Sequence, residues 1–199
     1  MISKKSLFIL NNILYTVVIL ALVAIVMSGI VRSDVLLIVV YFILALYLFL
    51  TVRKNAFYHL LLSTVIAFMW MLIGKSQYGY NREMLSLLGI NLFSLFSWAA
   101  GLFGIYVVYS YWGSALKKET FLKRLLLFLA FYWPVLIAVE TIAYHVFNIH
   151  NVSTAMYVGL PLCDCMHAPG WMQISYFSLG PIYFGICELI GLEKPNKKS

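Results

Sequence analysis

The chain has 199 residues, 63% of them hydrophobic and only 11% charged, with a formal charge of +7 and a mean hydropathy of +0.94. An ordinary soluble domain carries about a quarter charged residues, so that class is excluded, and the even composition leaves no room for a linker or a second domain. The basic excess sits at the ends of apolar segments, which points to anionic lipid headgroups and argues against nucleic acid as a partner.

Apolar runs predict an all-α protein: one integral membrane domain over residues 1–199, a bundle of six transmembrane helices. After a short basic start, residues 6–31 form the first span. The run is too long for a signal-peptide core, and no small-residue cleavage site follows it. Arg32-Ser33-Asp34 is a polar turn into the second span, 35–52, and Arg53-Lys54-Asn55 turns the chain into the third, 56–74. His59 near its start is expected at the membrane interface. The loop after it carries Tyr78 and Tyr80, aromatics of the kind that settle at headgroup level. The fourth span, 84–112, is longer than a perpendicular helix needs, so it should tilt or protrude. The fifth, 125–147, is interrupted at Trp133-Pro134. The sixth, 171–192, follows the longest connection, 148–170, expected to be a structured loop.

Eleven of the fourteen Lys and Arg residues fall in the N-terminus, the even-numbered loops and the tail, and three in the odd-numbered loops. That bias places both termini in the cytoplasm of a multi-pass protein of the cell membrane, with the fifth loop outside. No motif recurs between the two halves, so an inverted-repeat transporter is not supported.

An ionisable group inside a span is costly and marks a functional hypothesis. Glu140 is the clearest case, roughly 10 Å inside the outer end of the fifth span at 1.5 Å per residue. Tyr144 lies four residues on, where its hydroxyl should reach the Glu140 carboxyl, and His145 is beside it. These three are the candidate catalytic residues. The fourth span opens with Asn91, Ser94 and Trp98, and the sixth with Gln173 and Tyr176; these are the candidate substrate-binding residues. Together they predict a polar pocket in the outer leaflet between spans four, five and six, roofed by the fifth loop. The bland alternative is a helix-packing seam whose serines bond their own backbone. Glu188, near the cytoplasmic end, can snorkel and is read as structural.

The fifth loop carries Cys163-Asp164-Cys165, with His150 and His167 nearby. Such a set can bind a metal through two thiolates and imidazoles, close into a small disulfide, or serve structure alone. The zinc-like C-x2-C spacing is absent. Quinone-coupled disulfide enzymes need a second cysteine pair, and Cys187 is alone near the opposite face. Asn151-Val152-Ser153 is a glycosylation sequon on the outer side.

The pattern Trp133-Pro134, Glu140, Gly159-Leu160-Pro161-Leu162 and Trp171 is similar, over this stretch only, to membrane carotenoid hydratases and cyclases. That resemblance implies an intramembrane carboxylate and isoprenoid-like substrates. The glycine-rich Phe–Tyr motif of that group is missing here.

The leading expectation is therefore an enzyme or binder of an apolar, lipid-like small molecule, with Glu140 as proton donor or acceptor. The alternatives are a metal or thiol-redox site in the outer loop and a non-catalytic membrane subunit. The bilayer is the partner the sequence names; it specifies no cofactor and leaves oligomerisation open.

Overall fold

The computed structural model describes residues 32–51, 53–112 and 119–195. The predicted first span, the basic start, Lys117, Lys118 and the end of the tail lie outside the described residues. Within them are five helices: α1, Ser33–Leu50; α2, Lys54–Gly74; α3, Leu92–Trp112; α4, Phe121–Thr141; and α5, Gly170–Leu189. Four helical stretches are long and apolar enough to cross a membrane: Ser33–Leu50, Lys54–Gln77, Leu92–Tyr111 and Phe121–Val146. The predicted sixth span forms α5 but falls outside that set. Its 20 residues include Gln173, Ser175, Ser178 and Glu188, which lower its apolarity.

In hydrocarbon, backbone groups must be bonded within the segment, which leaves helices as the natural spanning element for such sequences. The outward faces agree with that solvent. Val39, Phe42, Ile43, Leu46 and Leu50 of α1 are exposed, as are Leu122, Leu126, Val139 and Ile142 along α4 and the turn after it. The buried residues of α1 are Asp34, Tyr41 and Leu48, a seven-residue seam against the bundle.

The predicted fourth span is shorter than expected because its first eight residues are not helical. Ser86–Leu87 pairs with Ile90–Asn91 in a small antiparallel hairpin. The turn residues Leu88 and Gly89 have φ of 53° and 78°, the left-handed pair that a type I′ turn needs. The helix then begins at Leu92 because Asn91 caps it. The Asn91 Oδ1 accepts the Ser94 backbone N–H at 3.0 Å.

Trp133-Pro134 does not interrupt the fifth span either: α4 runs through it. Thr120 starts this helix four residues earlier than expected, its side chain accepting the Lys123 N–H. Proline inside a helix frees a carbonyl one turn back, which must find another donor in an apolar setting. Pro181 of α5 frees the Phe177 carbonyl, and the Trp133 indole N–H of α4 donates to it at 3.2 Å. One residue earlier, the Tyr132 hydroxyl donates to the Tyr176 carbonyl. The two helices are thus joined by α4 aromatic donors on α5 carbonyls.

At the other end of the bundle, His59 is fully buried rather than interfacial. Its Nδ1 lies 3.1 Å from the Tyr183 hydroxyl and 3.6 Å from Cys187 Sγ, and Nε2 donates to the Glu193 carbonyl at 3.0 Å. Its ring also stacks on Tyr106. A polar group buried among helices is retained only when bonded, and this one ties α2, α3, α5 and the tail together. Glu188 pairs with Arg124 across α5 and α4, a structural role.

Gly180 is where α5 admits the Tyr132 ring. A Cβ there would lie 2.6 Å from three ring atoms, and the ring is held by its hydroxyl bond. Gly180→Ala is expected to cost about 1–3 kcal/mol by overpacking. Thermal unfolding of the purified variant in mild detergent checks this, and an unchanged midpoint would refute it.

Candidate functional site

One end of the bundle is closed by two loops that interlock. The first runs from the 3-10 turn Lys75–Gln77 to the hairpin, and the second from the end of α4 to Pro169. Asn151 is the clip between them. Its Oδ1 accepts the Gly79 N–H at 3.2 Å, and its Nδ2 donates to the Gln77 carbonyl at 2.7 Å. Tyr80 and Asn151 also form an isolated β-bridge. Asn81 and Arg82 donate to the carbonyls of Asn148 and Phe147 at 3.0 and 2.7 Å. The sequon asparagine is therefore half-buried, with the nitrogen a glycan would occupy already committed to Gln77.

The second loop is folded on itself. Cys163 and Cys165 form a disulfide. The Leu160 carbonyl accepts the backbone N–H groups of Cys163 and Asp164 at 3.1 and 2.8 Å, so the chain doubles back across Asp164, whose φ is 45°. Gln173 of α5 fastens this turn by donating from Nε2 to the Val158 and Met166 carbonyls at 2.9 and 3.1 Å.

The Tyr144 ring is held between two histidines, His150 at 4.0 Å and His167 at 5.2 Å between centroids. The Nε2 atoms of His145 and His150 and both nitrogens of His167 are spent on the loop backbone. His145 Nε2 donates to the Cys163 carbonyl at 2.7 Å and His150 Nε2 to the Tyr144 carbonyl at 2.9 Å. Both His167 nitrogens face carbonyls, those of Tyr157 and Asp164. Among the described residues no group of three His, Cys, Asp or Glu side chains is arranged to hold a metal ion. In the predicted metal set of Cys163, Cys165, His167 and His150, the sulfurs are bonded to each other, and His150 Nε2 and both His167 nitrogens to backbone carbonyls.

Beneath this roof lies a cavity of about 190 Å³ between α3, α4 and α5. Its walls are aromatic and aliphatic, with Trp98, Leu102, Tyr132 and Val135 among them, and among the described residues Glu140 is the one carboxylate lining it. Among the described residues the half-buried Glu140 side chain has no hydrogen-bond or ion-pair partner. The expected bond from Tyr144 to Glu140 is not formed. The last turn of this helix, Ile142–Val146, is a π-turn, which widens the spacing between the two side chains, and Tyr144 goes to the histidines instead. Both residues still line the cavity.

Of the other residues singled out above, Ser94, Trp98 and Tyr176 line the cavity, whereas His145, Asn91 and Gln173 lie outside its lining. Asn91 caps α3 and Gln173 holds the loop. Three lining tyrosines escaped the sequence reading: Tyr78, Tyr80 and Tyr132. Two of them looked like headgroup aromatics, but the Asn151 clip turns their loop inward.

Tyr78 is the most connected of the three. The Trp70 and Trp98 indole N–H groups both donate to its oxygen, at 2.7 and 3.0 Å. Desolvation pushes its phenol well above the ordinary value, so it stays protonated. Burial does the same for Tyr80, whose hydroxyl lies 2.8 Å from Ser94 Oγ. Compared with known proteins, the chain shows no significant match to a protein family, to a curated sequence or to a solved structure.

The clip carries a prediction. Asn151→Ala removes three hydrogen bonds from the half-buried loop contact and is expected to cost about 2–4 kcal/mol locally. Hydrogen exchange in residues 75–91 and 147–169 should accelerate markedly, while α2 and α3 stay protected; uniform acceleration would mean global unfolding instead.

Proposed function

We propose that the protein is a membrane-embedded enzyme or binding protein for an apolar, lipid-like molecule that occupies the cavity between α3, α4 and α5. The observation that carries this reading is the Glu140 carboxylate, unpartnered among the described residues, in the wall of an otherwise apolar chamber. Keeping a carboxylate in such a place costs free energy, which favours a use for it in proton transfer or in holding a ligand's polar group. The charge bias of the loops supports a cell-membrane protein of six spans with both termini inside. In that arrangement the roof faces the extracytoplasmic side and the chamber lies at outer-leaflet depth.

Gly101 offers a clean way to close the chamber, because a Cβ built on it meets nothing within 4 Å although the residue lines the cavity. Gly101→Leu should therefore fold and fill the space, whereas Glu140→Gln should leave the space open and remove the proton donor or acceptor. Untargeted mass spectrometry of lipid extracts from cells expressing each form is the test. An apolar species formed with the wild-type protein should be absent with both variants, and its retention in Glu140→Gln would sink the enzymatic reading.

Orientation has its own test. A membrane-impermeant maleimide applied to intact cells should label half-buried Cys163 only after mild reductant, since it forms a disulfide with Cys165, and should spare buried Cys165 and Cys187 throughout. Absence of labelling after reduction would place the roof on the cytoplasmic side.

A further inference from the structure

The side chains around the chamber select the charge of what it holds. Seven of those lining it are aromatic rings, Tyr80, Phe93, Trp98 and Tyr132 among them, and among the described residues no Lys or Arg lines it. His167 lines it too, but its two nitrogens face the Tyr157 and Asp164 carbonyls at 2.8 and 3.2 Å. An aromatic ring is negative on its faces, so a set of rings attracts a cation and reinforces a nearby carboxylate. Tyr80 and Phe93 meet at 86° with centroids 5.6 Å apart, so their planes form a corner, and Trp98 packs against Tyr176 at 5.0 Å.

Polarity also changes along the chamber. Its lining on α3 runs from Ser94 to Ile105, about 16 Å at 1.5 Å per residue, and on α4 from Glu140 back to Tyr132, about 12 Å. Ser94 and Glu140 belong to the roofed ends of their helices, whereas Leu102, Ile105 and Leu136 lie deeper. Gly101, Val135 and Val139 line the chamber while exposed, so between α3 and α4 it reaches the outer surface of the described bundle. A ligand complementary to this shape carries its polar group at one end and hydrocarbon at the other.

Resting on the cavity reading above, we infer that the ligand is an amphiphilic ammonium ion, its alkylated nitrogen held by Glu140 and the surrounding aromatic rings and its apolar tail running between α3 and α4 toward Ile105. Glu140 repels an anion, and no Lys or Arg among the described lining residues offsets that repulsion. A pure hydrocarbon leaves the carboxylate unpaired in an apolar place, which is costly. An alcohol gives it one hydrogen bond and makes no use of the ring faces. An alkylated ammonium ion uses both the carboxylate and the rings. The same group is carried by a free amphiphilic amine and by a choline-type lipid headgroup.

The experiment uses the full chain in dodecyl maltoside, an uncharged detergent, with two tritiated probes: dodecyltrimethylammonium, and the neutral isostere in which carbon replaces its nitrogen. Saturable binding is measured by scintillation proximity against protein-free micelles. The cation should bind about thirtyfold more tightly than the isostere, the ratio a desolvated cation–π contact supplies. Glu140→Gln, which keeps the side chain's shape, should remove most of that preference. Phe93→Leu should lower it while leaving the isostere's affinity in place, and this variant decides if Glu140→Gln does not fold. Displacement of the label by dodecylphosphocholine as well as by unlabelled probe would assign the ammonium to a lipid headgroup, and displacement by the unlabelled probe alone to a free amine. Equal saturable binding of cation and isostere that is lost in Gly101→Leu, or a preference unchanged in Glu140→Gln, would overturn this inference and leave the cavity reading standing. Saturable binding of neither probe, or binding that Gly101→Leu leaves intact, would overturn both.

Discussion

The site depends on a single phenol oxygen. At Tyr78 an indole from α2 and an indole from α3 meet on a loop residue. Two helices are thereby indexed to one atom just under the roof. Indole N–H groups buried among apolar side chains need acceptors, and a shared acceptor between two helices constrains their rotation as well as their separation. The large rings around it, Trp70 against Trp171 and Trp98 against Tyr176, then pack in tilted and edge-on arrangements that suit their quadrupoles.

Polarity is sorted within the molecule by what each end must do. At the far end, His59, Tyr183, Cys187 and the Glu193 carbonyl close on one another; that set reads as a latch. At the roofed end many of the polar groups close on one another, while Glu140 is left to the cavity. The contrast is informative because both clusters bury polar groups, but only the roofed one leaves a carboxylate without a partner among the described residues.

Proline and glycine contribute through backbone supply rather than flexibility. Pro181 frees a carbonyl that α4 answers with Trp133, and Gly180 lets Tyr132 approach closely enough to bond the Tyr176 carbonyl. This joint positions Tyr132 as a cavity wall. The helix breakers of α4 and α5 are thus part of how the chamber is built.

What the sequence by itself determined was the solvent: the apolar runs require helices wherever lipid is the medium, and four described stretches have that length and apolarity. Glu140 was also legible, because a carboxylate stands out against Leu, Ile and Val without any knowledge of its neighbours. The start of α3, the continuity of α5 through Pro181 and the inward turn of Tyr78 and Tyr80 were not. They follow from an Asn91 cap, a Trp133 donor arriving from 44 residues away and an Asn151 clip reaching 72 residues back, none of which leaves a periodic trace in the chain. His59 looked interfacial for the same reason, since its partners Tyr183 and Cys187 are more than 120 residues distant. Hydropathy is a property of each residue and its near neighbours, so it can be read along the chain. The direction of a hydrogen bond belongs to a pair, and only the tertiary structure decides which pairs exist.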